Sequence, residues 1–213
     1  MPYLIRKFKA SDREAVRCLS CQTAFLELPP HLVFDDDEVL ADFLTLYFTD
    51  YEPDSCFVAV ANSSVIGYLI GSRDVGLMNR IIKKKIIPLL FKKVLLRKTF
   101  FNRINLRFLF FCLLSFLRGE FFIPNFSKEF PATLHINIDK RYRNQGIGRE
   151  LIDNYLDYLK HYQIKGVHFS SFSEQAKIFF LKLGFEVLIT KRRSYLEPFV
   201  KREVKLYVFG KKI

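Results

Sequence analysis

The pattern of apolar and polar positions changes period at one place in the 213-residue chain. Residues 133–138, Thr-Leu-His-Ile-Asn-Ile, form a β-rich run. Beyond a short basic turn, apolar residues recur at Leu151, Ile152, Tyr155, Leu156 and Leu159. Spacing of i, i+3, i+4 and i+7 is the period of a helix with one buried face. The stretch therefore predicts strand, tight loop, helix.

The same reading places elements along the rest of the chain. Residues 3–8 predict a strand. Ser11 and Glu14, three apart, form a capping box at the start of a helix carrying Ala15, Val16, Leu19 and Ala24, and Pro29-Pro30 ends it. A second helix is predicted over 39–47, with the acidic cluster 35–38 at its N-terminus. Negative charge suits that end of a helix; the sharper alternative is an acidic lip for a cationic amine. Residues 56–60 and 65–70, separated by Asn62-Ser63-Ser64, predict a β-hairpin. Residues 120–123 predict a short edge strand and 124–131 a loop. Strands follow at 167–170, 186–190 and 205–209, the last closing the sheet. A helix opens at Ser173 and is capped by Gly184 in a left-handed turn.

Composition narrows the class. Half the residues are apolar, so a packed core is expected and global disorder is not. The length suggests one domain, 1–213, with an insertion. Cys18 and Cys21 form a CxxC without further well-spaced ligands, so no metal site is expected. The N-terminal residues lack a long apolar h-region, so a cytoplasmic protein is expected.

The net charge of +12 is concentrated. Between Gly76 and Gly119 lie eleven basic residues and no Asp or Glu, which leaves the remainder close to neutral. Within this segment, 77–118, apolar and basic blocks alternate at helical spacing, with Pro88 breaking or starting a helix. Its apolar run 108–117 is too short to span a bilayer, which takes about 20 residues. Three readings stand: a helical hairpin packed on the domain over the acceptor side, a cationic amphipathic element on an anionic membrane, or a nucleic-acid contact. The first leads. The third is disfavoured because the aromatic residues are all Phe inside apolar runs, where burial suits them better than base stacking.

The loop before the long helix carries the chemistry. A helix N-terminus presents backbone N–H groups with no intrahelical partner, which favour an anion such as phosphate. Gly146 and Gly148 lack a Cβ and let a ligand approach the main chain. The spacing Arg143-x-x-Gly146-x-Gly148, between strand and helix, resembles the coenzyme-A pyrophosphate loop of the GNAT superfamily, the acyl-CoA-dependent N-acetyltransferases. Ala176-x-x-Phe179-Phe180-x-x-Leu183-Gly184-Phe185 is similar to a second motif of that family. The resemblance covers 3–72 and 130–209 and leaves the cationic segment outside. The detail GVHFSS…LGF, with LHIN before the loop, looks most like a bacterial subgroup related to the acetyltransferase-like domains of O-GlcNAcase-type proteins.

The resemblance implies an α/β GNAT fold, with a mixed central sheet, a splayed strand pair and flanking helices. It implies acetyl-CoA as co-substrate, held by the backbone of Ile136, Asn137 and Ile138 and by Arg143, Asn144, Gln145, Gly146, Ile147, Gly148 and Arg149. Ser173 stands where the family often has an Asn that touches the cofactor. The implied reaction is direct attack of a primary amine, on a small molecule or a protein, on the acetyl thioester. Phe180 stands where the family often has a Tyr acid, and Ala132 and Leu134 occupy its common acidic or histidine positions. His135 is the titratable side chain left within the strand, either a base or a histidine with a structural hydrogen bond. Asn137 would orient substrate or water. The alternative function is a CoA-binding module with weak or lost catalysis, whose basic segment binds a partner or an anionic membrane. A homodimer is among the expected assemblies.

Overall fold

The computed structural model describes residues 2–26 and 28–213. Its elements are β1 (Leu4–Lys7), α1 (Arg13–Thr23), α2 (Asp37–Tyr51), β2 (Phe57–Ala61), β3 (Ser64–Ser72), α3 (Val75–Ile81), α4 (Ile87–Leu96), α5 (Arg103–Leu117), β4 (Thr133–Ile138), α6 (Ile147–His161), β5 (Gly166–Ser171), α7 (Glu174–Lys182), β6 (Glu186–Arg192), α8 (Glu197–Val200) and β7 (Lys205–Lys212). They build two antiparallel sheets, β1-β2-β3-β4 and β5-β7-β6, flanked by helices. β7 thus does not close an edge; it lies between β5 and β6.

The hairpin β2–β3 turns through Asn62 and Ser63, whose φ values of 47° and 61° match the twist of a tight two-residue turn. The amphipathic stripe read from the sequence is the buried face of α6. Leu151, Ile152, Tyr155, Leu156 and Leu159 enter one core with Ala132 and Leu134 of the first sheet and Val167, Phe169 and Phe209 of the second. Burying each such side chain contributes roughly 1.5–3 kcal/mol. α6 therefore joins the two sheets. On the opposite face of the first sheet, Val16 and Leu19 of α1 cover Val58, Tyr68 and Ile70.

Two local expectations fail. Ser11 makes no cap; it lies in a 3-10 turn, Ala10–Asp12, whose Asp12 carboxylate reaches back to the Lys9 N–H (2.8 Å) and pairs with Arg6. Residues 120–123 form no strand. Gly119 turns the chain at φ +72°, and the Glu120 carboxylate accepts the Ser194 N–H (2.7 Å), which holds the segment to the loop after β6.

The cationic segment is helical, as expected, and runs α3, a wide π turn at Ile82–Ile86, α4 and α5. Pro88 sits in the first turn of α4, where a missing N–H costs least. Leu90 of α4 packs against Val39, Leu46 and Tyr47 of α2. Phe108 of α5 meets Phe25, Phe34 and Tyr195 edge-on.

β4 and β5 touch through a single parallel rung, Ala132 opposite Val167. Ala132 N–H bonds Gly166 O (3.1 Å), and His168 N–H bonds Ala132 O (2.9 Å). Past that rung the strands diverge into separate sheets. Tyr155 braces the base of the divergence: its hydroxyl lies 2.7 Å from Thr133 O and 3.1 Å from Ser72 O. Tyr155→Phe is expected to lower stability by about 1–2 kcal/mol through the lost buried hydrogen bond, read by urea denaturation.

Candidate functional site

The β4–α6 loop is shaped by its own polar groups. Asp139 accepts the Arg141 N–H (3.0 Å) and forks onto the Arg141 guanidinium, and Arg143 Nε donates to Ile138 O (3.2 Å). Asn144 and Gly146 hold positive φ, 62° and 85°. Gly146 is the N-cap of α6, and the first helical bond runs from Glu150 N–H to Gly146 O. The amides of Ile147, Gly148 and Arg149 precede that bond, so they point out of the helix end. The Ile147 side chain is buried and anchors the turn, while residues 143–146 are exposed.

The two glycines serve different ends. Gly146 needs its left-handed conformation. At Gly148 a Cβ would lie 3.3 Å from the Phe179 ring, so the loop packs on the second motif. Ser173 caps α7; its Oγ accepts the Ala176 N–H (3.2 Å), which leaves its own hydroxyl proton to donate.

Along β4 the side chains divide by parity. Leu134 is buried in the core shared with α6, and Ile136 and Ile138 pack against that core. The β3–β4 register sets Tyr68 opposite Asn137 and Ile70 opposite His135. Asn137 Nδ2 donates to Tyr68 Oη (2.7 Å) and lies 3.2 Å from His135 Nε2. His135 Nδ1 is 3.4 Å from Tyr68 Oη, and the two rings meet edge-on. With Asn137 Nδ2 donating to Nε2, the neutral imidazole carries its proton on Nδ1, toward Tyr68. Both ring nitrogens then have partners inside the protein. Burial pushes the His135 pKa down to about 4 and that of fully buried Tyr68 well above its usual value.

His135 and Asn137 are thus brought together, joined by Tyr68, which the sequence reading did not single out. Tyr68 lies 67 residues before His135 and 69 before Asn137, and its place beside them depends on strand register. Phe180 is buried against Phe169, Phe185 and Phe209 and carries no proton to give.

The acidic cluster 35–38 follows its helix-end reading. Asp36 caps α2 by accepting the Val39 N–H (3.3 Å). From the cationic segment, Arg97 neutralises it (3.0 Å) and the Thr99 hydroxyl donates to it. Lys93 bonds Glu38 (3.1 Å) and Asp42 (2.7 Å), and Arg17 joins both. These cations hold the Asp36, Glu38 and Asp42 carboxyls below their usual range against the opposing effect of burial. An open cavity of about 310 Å³ lies beside Arg17, lined among others by Glu14, Cys18, Cys21, Asp37 and Glu38. Cys18 and Cys21 sit one turn apart on α1 as free thiols.

Strand pair, loop and flanking helices define a class. Residues 115–187 match the family model described as the acetyltransferase (GNAT) domain. This span runs from the end of α5 through β4, the loop, α6, β5 and α7. Solved structures agree over the full length. The chain is similar to SsHAT (21% identity, TM-score 0.70, covering 100% of this chain and 98% of the other). It is similar to the Drosophila melanogaster polyamine N-acetyltransferase (13%, TM-score 0.66, 100% of both chains). It is also similar to the ribosomal-protein-alanine N-acetyltransferase of Brucella melitensis (15%, TM-score 0.56, 99% of both). No curated protein matches the sequence. The chain has the GNAT fold and carries the family's domain signature over 115–187; the match does not extend to the narrower O-GlcNAcase-like subgroup.

The His135 cluster has a pH signature. The folded ring stays neutral down to about pH 4, whereas an unfolded histidine binds a proton near pH 6.5. Its contribution to stability is complete above pH 6.5 and is lost as the pH falls toward 4. Urea denaturation of wild type should therefore weaken over that window by on the order of 2 kcal/mol more than His135→Gln. Equal slopes would show that the ring is not held neutral.

Proposed function

We propose that the protein transfers an acetyl group from acetyl-CoA to a primary amine. The observation that carries this reading is the divergence of β4 from β5 directly before a loop that aims helix-end amides outward. The main chain of Ile136 and Ile138 lies on β4 beyond the one rung, where an extended amide chain of the cofactor would take the place of the missing strand. The amides of residues 143–149 would hold the pyrophosphate, aided by the α6 dipole and by Arg143 and Arg149. Ser173 would donate to the cofactor from the start of α7.

In the transfer, the neutral amine nitrogen forms a bond to the acetyl carbon and the carbon–sulfur bond breaks. The nitrogen loses a proton, and the departing thiolate gains one. Asn137 and the neutral His135 sit on the face of β4 away from α6. His135 would accept a proton only weakly, because burial keeps its pKa low. Known amine acetyltransferases among the similar structures act on polyamines and on a ribosomal-protein alanine, which supports an amine acceptor here.

A second reading has its own observation. Phe180 lies in an aromatic cluster where a tyrosine acid would stand in the family, and both His135 nitrogens are engaged. That favours a module that binds coenzyme A with little turnover.

Titration with acetyl-CoA by calorimetry, followed by free-thiol release with polyamines, agmatine, lysine and peptide N-termini, separates the readings. Binding with thiol release on at least one amine supports transfer. Binding without release on any supports the second reading, and no binding refutes both. Gly148→Val is expected to weaken acetyl-CoA at least about tenfold by moving the loop against Phe179, with the fold retained by circular dichroism.

A further inference from the structure

The helices of residues 75–117 expose apolar side chains on the side away from the domain. Toward the domain, Ile86, Leu90 and Phe108 pack among apolar residues, and polar groups join the contact: Lys93 and Arg97 bond Asp42 and Asp36, fully buried Asn105 accepts the Asp35 N–H (2.6 Å), and fully buried Ser115 lies 3.3 Å from Ser194 Oγ. Their outer side is apolar. On α5, Leu106, Leu109, Phe110, Leu113, Phe116 and Leu117 are 36–71% exposed. These positions fall at i, i+3, i+4, i+7, i+10 and i+11, a single stripe along the helix. Ile87, Phe91, Leu95 and Leu96 of α4 are exposed as well, and Phe101 in the following turn is 83% exposed. Single exposed apolar residues need no explanation, whereas a whole outward stripe marks a surface that something covers.

The charge of the segment says what. Lys83, Lys84, Lys85, Lys92, Lys98 and Arg103 are exposed, and no acidic residue lies between Gly76 and Gly119. A second copy docked on this face would set two cationic segments against each other. A nucleic acid would meet the charge and leave the apolar stripe in water. An anionic lipid surface satisfies both: its headgroups attract the lysines and its acyl boundary takes up Leu and Phe. No helix among the described residues is long and apolar enough to cross a membrane. We propose that residues 83–117 form a peripheral docking surface for anionic lipid membranes, through the outer stripe of α5, the exposed apolar residues of α4 and the lysines beside them.

Flotation of the full chain with phosphatidylcholine vesicles, with and without phosphatidylglycerol, tests this. Roughly tenfold more protein should float with the anionic vesicles, and added salt should reduce it. Leu106→Ser/Phe110→Ser/Leu113→Ser changes only exposed positions and should abolish flotation with an unchanged circular dichroism spectrum. Lys83→Glu/Lys84→Glu should weaken it to a similar extent. Absence of flotation on anionic vesicles, or equal flotation on neutral ones, overturns the proposal. So does a dimer, seen by light scattering, that the serine variant dissolves while lipid has no effect, or tight RNA-oligonucleotide binding without lipid binding. None of these outcomes depends on whether the protein turns over acetyl-CoA.

Discussion

The single rung between Ala132 and Val167 is the constraint on which the site depends. A parallel pair would ordinarily continue its ladder and leave no main chain for a ligand. Here α6 packs across both sheets, with Leu151, Ile152 and Tyr155 in the core that Ala132, Leu134, Val167 and Phe209 share, and leaves the main chain beyond the rung unpaired on that side. The helix does two things at once. Its side chains hold the two sheets to one core, and its N-terminus presents amides just past the end of β4. Binding capacity and core packing are therefore parts of one arrangement.

The opposite face of β4 is governed by a different force. Tyr68 is fully buried, His135 and Asn137 are half-buried beside it, and the three satisfy one another. A buried polar group without a partner is costly, so the Tyr68 hydroxyl and the two side chains that register places beside it stabilise a common geometry. The same economy explains why the imidazole stays neutral and why its proton faces Tyr68.

Much of this was legible in the chain itself. The change of period from strand to helix around Arg143–Arg149 located the loop, and the left-handed turn read at Gly184 is there at φ 76°. What stayed hidden were matters of partnership. The Ser11 cap gave way to a 3-10 turn whose Asp12 carboxylate is held by the Lys9 N–H and by Arg6 on the preceding strand. The acidic cluster 35–38 read as a helix end or a substrate lip, and its pairing with Lys93 and Arg97, more than fifty residues on, left no local trace. Residues 120–123 looked like a strand because their apolar content is high, yet Glu120 is committed to Ser194. Tyr68 was invisible as a site residue until register set it beside Asn137.

The ion pairs beneath α4 have a consequence for how such a chain can change over time. Asp36 and Asp42 are nearly inaccessible, and their charge is balanced by Arg97 and Lys93 from a segment that the family resemblance does not include. Removing that segment would leave Asp36 without its guanidinium and strip Asp42 of one of its two cations. The helices and the acidic start of α2 thus form a heritable unit: a lineage that loses the one should show neutral residues at the other, and a graft of the helices onto a plainer relative would need both carboxylates to travel with it.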